Sequence, residues 1–302
     1  MELKQLEYFL ILSEELHFTR AAEKLGIAQP SLSQQIRLLE HEMGIPLFDR
    51  VGKKTILTKA GQILQQHSYN VFHELSQAHA NINELQGLQR GSLKIGALMT
   101  VVHYLLPPTV IRFHTHYPNI ELSVLGLRTG DIYDGLLQNE LDLGIVLLPV
   151  EQDSFEVEPL YEENLALAVA TDNPISKSPF VTLDILKESP SILLPNNYYL
   201  RQLINEHCRS LSFTPQPVVE MTTLESIINM VSKGVGVTVL PQAYLDHLNH
   251  PELSIIPIQN PTLTTQIGLI YRKHKHLCAA TREFIKQLAE TTRSFISQKE
   301  IT

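Results

Sequence analysis

The sequence predicts a multidomain α+β protein with a small helical domain ending in a hairpin, a long linker helix, and a larger two-lobed α/β domain. Three patterns lead to this prediction. Apolar residues near the amino terminus recur at helical spacing. A seven-residue apolar repeat follows, and short apolar runs then alternate with helical segments. At about 150 residues per domain, 302 residues suggest about two domains.

Composition narrows the class of protein. Hydrophobic residues make up 43% and charged residues 19% of the chain, which favours a folded core over disorder. No apolar run approaches the ~18 residues of a membrane span. The amino terminus lacks the basic start and apolar stretch of a signal peptide, so we expect a cytoplasmic location. Two distant cysteines, Cys208 and Cys278, form no metal or redox motif.

The net charge of −8 is unevenly distributed. Residues 1–60 hold eight basic and eight acidic residues, so the remaining 242 hold sixteen (24 − 8) and twenty-four (32 − 8). Any affinity of the first segment for a polyanion must therefore come from the placement of its charges. A local cluster comprises Arg50, Lys53, Lys54 and Lys59, although such clusters also occur on ordinary solvated surfaces.

Three short helices are predicted first. The opening helix has an apolar face at Leu6, Phe9, Leu10 and Ser13. Thr19 is the predicted N-cap of a second helix over residues 20–25, which Gly26 ends. Pro30 suits the first turn of a third helix.

The third helix presents an apolar face and polar faces. Leu32, Ile36 and Leu39 are expected to face the core. The polar side chains are Gln29, Ser31, Ser33, Gln34 and Arg37. A polar face is usually just solvated, but glutamine, serine and arginine can read bases and phosphates in a major groove. The helix–glycine turn–helix context favours DNA binding.

A basic hairpin follows the third helix. Two short segments with apolar residues flank residues 51–54, which predicts a turn between two strands. A basic hairpin tip beside a recognition helix is a wing, and wings contact phosphates or the minor groove. Lys54 on this hairpin is therefore a candidate DNA contact, as Arg37 is on the third helix.

A long fourth helix is predicted after Thr58, its N-cap. Its seven-residue repeat comprises Leu64, Val71, Ala78 and Leu85, with Leu75 and Ile82 at alternate positions. The alternative is a helix packed on its own domain. We favour dimerisation, because a two-fold protein reads two half-sites.

The remaining sequence predicts an α/β region with a mostly parallel sheet. The predicted strands include residues 93–96, 120–124, 141–146, 165–169, 191–194 and 236–240. About 210 residues exceed one small sheet, so we expect two lobes with a ligand cleft between them.

Several segments together strongly resemble the LysR-type transcriptional regulators. The densest match comprises Phe18–Leu25, Ala28–Ile36, Leu39–Glu40, Leu47–Arg50 and Leu57–Gly61. A looser match comprises Arg90–Gly96, Leu106–Pro107, Leu141–Gly144 and Gly234–Pro241. The resemblance thus spans essentially the whole chain.

This resemblance implies a winged helix-turn-helix at residues 1–58, a dimerising linker helix at 59–89, and an effector domain at 90–302 folded like a periplasmic binding protein. Lobe I would comprise about 90–162 and 268–302, and lobe II about 163–267. The family implies tetramers built as dimers of dimers on double-stranded promoter DNA, and a small-molecule co-inducer between the lobes. RNA polymerase is a further expected partner. No resident cofactor or metal is expected.

The resemblance also implies site residues. The implied DNA contacts are Gln29, Pro30, Ser31, Ser33 and Gln34 on the recognition helix, with Arg50 and Lys53 on the wing. Many members have arginine where this chain has Gln34, and glutamine reads adenine more readily than guanine.

The effector contacts implied by position are Thr100 and Thr129. Both are expected where helices begin, and helix N-termini attract anions. We therefore expect a carboxylate-bearing effector, with Arg128 adding charge and with the pairs Pro195-Asn196 and Thr222-Thr223 lining the opposite lobe.

Two other classes of protein fit the sequence less well. An enzyme is disfavoured because the pairs His114/His116 and His274/His276 have no convincing carboxylate or cysteine set, and no G-x-S-x-G motif occurs. Gly234-Val235-Gly236 lacks the third glycine of a dinucleotide loop. The other class is a ligand-binding protein of the periplasmic type, which the first 60 residues disfavour.

Overall fold

The structure is a computed structural model that describes residues 1–51, 54–84, 91–150, 152–275 and 277–299. The chain divides into two compact units. One comprises residues 1–82 with 138–140, and the other comprises residues 83–137 with 141–302. None of the described helices is long and apolar enough to cross a membrane.

The amino-terminal unit is a winged helix-turn-helix followed by a long helix. Its elements are α1 (Leu3–Glu15), α2 (Phe18–Leu25), α3 (Gln29–Met43), β1 (Phe48–Val51), β2 (Lys54–Leu57) and α4 (Lys59–Glu84). The hairpin is antiparallel and pairs Phe48 with Leu57 and Val51 with Lys54. The predicted apolar faces meet in one core, which contains Phe9, Leu12, Leu32, Ile36 and Leu39.

Local capping sets the helix boundaries. Helix α2 begins one residue before the predicted cap, because His17 and not Thr19 is the N-cap. The His17 ring nitrogen accepts a hydrogen bond from the Arg20 amide at 3.4 Å. Gly26 ends the helix at φ 66°, a left-handed conformation that suits glycine. Thr58 caps α4 as predicted, since its Oγ1 accepts from the Gly61 amide at 3.0 Å.

The carboxy-terminal unit is a two-lobed α/β domain. Its strands are β3 (Gly91–Ala97), β4 (Ile120–Gly126), β5 (Leu143–Leu148), β6 (Phe155–Ala170), β7 (Ile192–Leu193), β8 (Val219–Glu220), β9 (Thr238–Pro241), β10 (Leu253–Pro257) and β11 (Thr264–Arg272). Its helices are α5 (Met99–Tyr104), α6 (Leu106–His116), α7 (Thr129–Leu137), α8 (Ile185–Glu188), α9 (Tyr199–Ser210), α10 (Leu224–Ser232), α11 (Gln242–Leu248) and α12 (Ala279–Lys299).

The expectation of a mostly parallel sheet is wrong. The main sheet has the order β10-β6-β11-β5-β3-β4, with β9 also paired to β6. Among its described strands, only β3 pairs in parallel, with β4 and β5. Strands β6 and β11 lie side by side and run antiparallel, because the chain crosses between the lobes along β6 and returns along β11.

Strand β6 belongs to both lobes. Residues 155–164 pair with β11, which continues the sheet of β3, β4 and β5 in the first lobe. Residues 165–170 pair instead with β9 on one side and β10 on the other, in the second lobe. The predicted strand at 165–169 was therefore only the second half of a 16-residue strand.

Helix α7 packs closely on the sheet of the first lobe. Its buried residues Ile132 and Leu136 contact a core that includes Val146 and Ile270. The close approach requires small residues, because a Cβ on Gly144 would lie 2.6 Å from Ile132 and 3.0 Å from Leu136. This packing fixes the start of α7, which carries Thr129.

Candidate nucleic-acid interface and effector cleft

Helix α3 exposes the polar side chains that were predicted to read DNA. Gln29, Pro30, Ser31, Gln34 and Arg37 are exposed, and Ser33 is half-buried. Gln29 and Pro30 occupy the first turn, where the Gln29 Nε2 donates a hydrogen bond to the Ser33 Oγ at 2.9 Å. The start of the helix therefore presents several hydrogen-bond donors and acceptors, and the side chains of Gln29 and Ser33 hold each other in place.

The wing is attached to α3 by Glu40, which sequence reasoning did not single out. Its Oε1 accepts from the backbone amides of Leu47 at 2.8 Å and Phe48 at 3.2 Å. Glu40 thereby fixes the start of the hairpin relative to the recognition helix. Arg50 and Lys54 lie on the two hairpin strands, whereas Lys53 lies outside the described residues.

The carboxy-terminal unit contains a cleft that lies at strand ends and helix starts of both lobes. It encloses a cavity of about 50 Å³, which holds a few water molecules but not a large ligand. Apolar and aromatic side chains dominate the lining. They are Leu98, Met99, Leu127, Leu147, Leu194, Tyr198, Tyr199, Leu200, Leu224 and Pro241.

The structure brings three predicted effector contacts together in this cleft, namely Thr100, Arg128 and Thr129. Thr100 lies in the first turn of α5 and is 8% exposed. Thr129 begins α7, and its Oγ1 is buried with no hydrogen-bond partner in the described part of the chain. A buried hydroxyl without a partner is costly, so this atom marks a place for a ligand or water.

Arg128 is already engaged. Its Nε and Nη2 donate to the two carboxylate oxygens of Asp131 at 2.8 and 3.0 Å. The hydrogen bonds to Asp131 and its negative charge raise the pKa of the Arg128 guanidinium. An incoming anion would therefore have to share Arg128 with Asp131.

Two other predicted contacts lie elsewhere. Among the described residues, neither Asn196 nor Thr223 lines the cleft. The Asn196 Oδ1 accepts from Asn205 at 2.9 Å, and the Thr223 Oγ1 donates to Ser226 at 3.3 Å. Of the predicted pair Thr222-Thr223, Thr222 does line the cleft, whereas Pro195 does not.

A buried arginine shapes the wall contributed by the second lobe. The Arg201 side chain is 3% exposed. Its Nε donates to the Asn205 Oδ1 at 2.8 Å, and its Nη1 donates to the Leu194 carbonyl at 3.0 Å and to Glu220 at 3.3 Å. Burial lowers the pKa of this guanidinium, against the opposing effect of Glu220. Arg201 thus connects β7, β8 and α9 behind the lining residues.

No group of three or more histidine, cysteine, aspartate or glutamate residues suited to a metal ion occurs in the described ranges.

Comparisons with known proteins agree with this architecture. A family model described as "Bacterial regulatory helix-turn-helix protein, lysR family" matches residues 3–62. A second, described as "LysR substrate binding domain", matches residues 86–293. The chain is 30% identical over 294 residues to a hydrogen peroxide-inducible genes activator of Pectobacterium carotovorum subsp. carotovorum, covering 97% of this chain and 96% of the relative.

Two solved structures have the same fold. A full-length OxyR variant from Pseudomonas aeruginosa is 28% identical, with a TM-score of 0.72 and coverage of 97% of this chain and 95% of that one. Full-length CbnR complexed with its target DNA is 19% identical, with a TM-score of 0.71 and coverage of 96% and 100%. The two family models and the Pectobacterium relative describe transcription regulators and not enzymes, and one model matches within each unit of the chain. The chain belongs to the LysR family of DNA-binding transcription regulators with an effector-binding domain.

Proposed function

We propose that this regulator is controlled by a small metabolite with an apolar body and one anionic or hydrogen-bonding end, which binds in the cleft between the lobes. The observation that carries the proposal is the buried Thr129 Oγ1, unpartnered within the described residues, at the edge of an apolar cavity. Thr129 begins a nine-residue helix whose first amide groups favour a negative charge. The apolar lining favours a ligand body without further charges.

A carboxylate is the anionic group that best fits this site. It would accept hydrogen bonds from the hydroxyls of Thr100 and Thr129 and compete with Asp131 for Arg128. The cavity is small, so a ligand with an apolar body must part the two lobes slightly. This requirement supplies the differential affinity for two lobe arrangements that any effector needs in order to switch a regulator.

A thermal-shift screen of the full-length chain with monocarboxylic acids and their neutral amides tests this proposal, because a ligand of the native state raises its melting temperature. The strongest hit is then titrated against Thr129→Val and Thr100→Val. Thr223→Val is the matched control, because its hydroxyl contacts Ser226 and not the cleft. We expect at least a tenfold weaker affinity in the first two variants and parental affinity in the control. Equal affinities in all four proteins would contradict this pocket assignment.

Peroxide sensing is the alternative that the name of the Pectobacterium relative suggests. A peroxide-reactive thiol must be accessible and readily deprotonated. Burial raises the pKa of the Cys208 thiol to about 12, and the side chain is fully buried. Cys278 is also buried, and its Sγ contacts the Thr281 Oγ1 at 3.2 Å. We therefore propose ligand binding and not thiol oxidation as the input signal.

We also propose that the chain binds promoter DNA as a dimer through α4 and assembles into a dimer of dimers. In the single chain, Val71 and Leu75 are each 38% exposed and Ile82 is 59% exposed. Together with the exposed Ala78, they form an apolar stripe at seven- and four-residue spacing, which a second copy of α4 would cover. The last predicted position of this repeat, Leu85, lies outside the described residues.

Sedimentation equilibrium tests this interface. The double variant Val71→Glu/Ile82→Glu should show a lower mass than the parent, because each carboxylate would have to be buried against the second copy of α4. An unchanged mass would count against this interface.

In this arrangement a dimer would place two α3 helices in successive major grooves, with Gln29, Pro30, Ser31, Ser33, Gln34 and Arg37 near base edges and Arg50, Lys53 and Lys54 near phosphates. A tetramer would span two such sites, bend the DNA and present the promoter to RNA polymerase. A gel-shift assay with the upstream DNA of the gene should give a salt-sensitive, site-specific shift. DNase footprints that are identical with and without the effector would contradict the switching step.

A further inference from the structure

A buried carboxylate lies where strand β6 passes from one lobe to the other. Glu163 is fully buried, and it precedes by two residues the point at Leu165 where the strand changes its pairing partners. We infer that Glu163 is a positioning residue that couples the two lobes behind the effector cleft, through the helices α5 and α11 that carry parts of the cleft wall.

The contacts of Glu163 come from both lobes. Its Oε2 accepts hydrogen bonds from the phenol of Tyr104 at 2.8 Å, at the end of α5, and from that of Tyr161 at 3.1 Å, on β6. The two phenol oxygens also contact each other, so Tyr104→Phe removes both of the Tyr104 contacts. Its Oε1 accepts from the backbone amide of Ala243 at 3.2 Å, in the first turn of α11. One carboxylate therefore holds α5 of the first lobe and α11 of the second at the same time.

Both helices lead directly into the cleft. Tyr104 lies four residues after Thr100, one turn of helix later, so a displacement of Tyr104 displaces Thr100 as well. Helix α11 begins immediately after Pro241, a residue that lines the cleft. Opening the lobes must therefore stretch or break at least one hydrogen bond to Glu163.

Aromatic packing surrounds the two tyrosines that donate to Glu163. Phe295 of α12 contacts both tyrosine rings, with ring centroids 5.5 Å from Tyr104 and 5.7 Å from Tyr161. Burial raises the pKa of both phenols, and the charge of Glu163 raises it further, so both remain neutral donors at physiological pH. A buried carboxylate is stable only while its donors stay in place, which gives the two lobes a preferred relative position.

The same strand offers a matched control. Glu158 of β6 accepts a hydrogen bond from the Tyr271 phenol of β11 at 2.9 Å, so it makes the same carboxylate–phenol bond. Both residues of that pair lie within the sheet of the first lobe, and Glu158 is exposed. Removing this bond should leave the position of the lobes unchanged.

Double electron–electron resonance measurements on the full-length chain test the inference. Spin labels at Thr115→Cys on α6 and Ser210→Cys on α9, both exposed positions, report the distance between the lobes when Cys208 and Cys278 are replaced by alanine. Dilution with unlabelled chain removes distances between subunits. We compare Tyr104→Phe and Glu163→Gln with Tyr271→Phe and Glu158→Gln. Tyr104→Phe keeps the ring and the carboxylate, so it remains informative if Glu163→Gln does not fold.

We expect a distance distribution about twice as broad as the parent's in Tyr104→Phe and Glu163→Gln, and a parental distribution in both control variants. A lower melting temperature with an unchanged distribution would mean that Glu163 only stabilises the fold, and it would overturn the inference. Equal broadening in the controls would overturn it too. The inference rests on the proposed function only in taking the cleft as the effector site, and this measurement uses no effector. Failure of the ligand screen and failure of the coupling are therefore separate results.

Discussion

Replacing Arg201 with leucine should selectively destabilise the effector domain. The substitution removes the donors to the Asn205 Oδ1 and the Leu194 carbonyl and leaves both buried acceptors without them. Each unsatisfied buried acceptor costs about 1–3 kcal/mol. The bond to Glu220 adds little, because that carboxylate is 43% exposed and remains solvated. The bond to the Pro215 carbonyl also adds little, because it is 3.5 Å long and therefore weak. The expected loss in the free energy of unfolding is therefore about 2–6 kcal/mol, with a central value of about 4 kcal/mol.

For a domain of this size, about 1 kcal/mol corresponds to roughly 2–4 °C in melting temperature, so we expect a decrease of about 8–16 °C. Differential scanning calorimetry of the full-length chain measures this change in the effector-domain transition. Arg209→Leu is the matched control, because it removes an exposed arginine from the same helix and should cost about 0.5 kcal/mol or less. If the two variants melt at the same temperature, Arg201 does not organise the second lobe.

Three further changes test other parts of the molecule. Gly61→Ala should lower the free energy of unfolding by about 1–3 kcal/mol, measured by thermal unfolding, and weaken DNA binding, because a Cβ there collides with the Leu47 carbonyl oxygen. Gly130→Ala is the control and should be neutral, because its Cβ meets nothing within 4 Å. Gln34→Ala should reduce the preference for the operator over unrelated DNA by about 1–3 kcal/mol without changing the salt dependence in a binding titration; a uniform loss on all sequences would contradict base reading. The thiol of Cys208 should react slowly with Ellman's reagent at pH 8, because its pKa is raised to about 12 and its thiolate fraction rises only toward that pH. A fast reaction that is lost in Cys208→Ser would restore peroxide sensing as a candidate.

The DNA-binding unit was predictable because its signals are local. Helix α3 follows from the spacing of Leu32, Ile36 and Leu39, and all three are buried. The start of α2 was missed by two positions, because the ring of His17 caps the helix and not the expected hydroxyl of Thr19. Hydroxyl and carboxyl groups are the common caps, so sequence patterns favour Thr19.

The sheet was harder to predict, because the decisive pairings join distant segments. Polar and apolar residues alternate poorly in the first half of β6, and Pro159 argues against a strand. In the structure, Pro159 pairs with Gly268 at a β-bulge, where Leu160 of β6 is the extra residue between the pairs Pro159–Gly268 and Tyr161–Ile267, and the ladder there tolerates a missing amide. Neither residue indicates this arrangement alone, so β11 and the antiparallel centre of the sheet were not predicted.

The first-lobe and second-lobe walls of the cleft also differ in how much of them could be anticipated before the structure. Thr100 and Thr129 were candidates because the family resemblance implies ligand contacts shortly after the first two strands of this domain, and both line the cleft. Asn196 was a candidate because it follows a later predicted strand, but its amide oxygen accepts a hydrogen bond from Asn205. Asn205 is available for that bond because Arg201 holds its other end, through a contact that only the folded lobe creates. The family resemblance therefore indicated the hydroxyl groups of the first-lobe wall, whereas the side chains that form the second-lobe wall depend on a buried network that only the tertiary structure reveals.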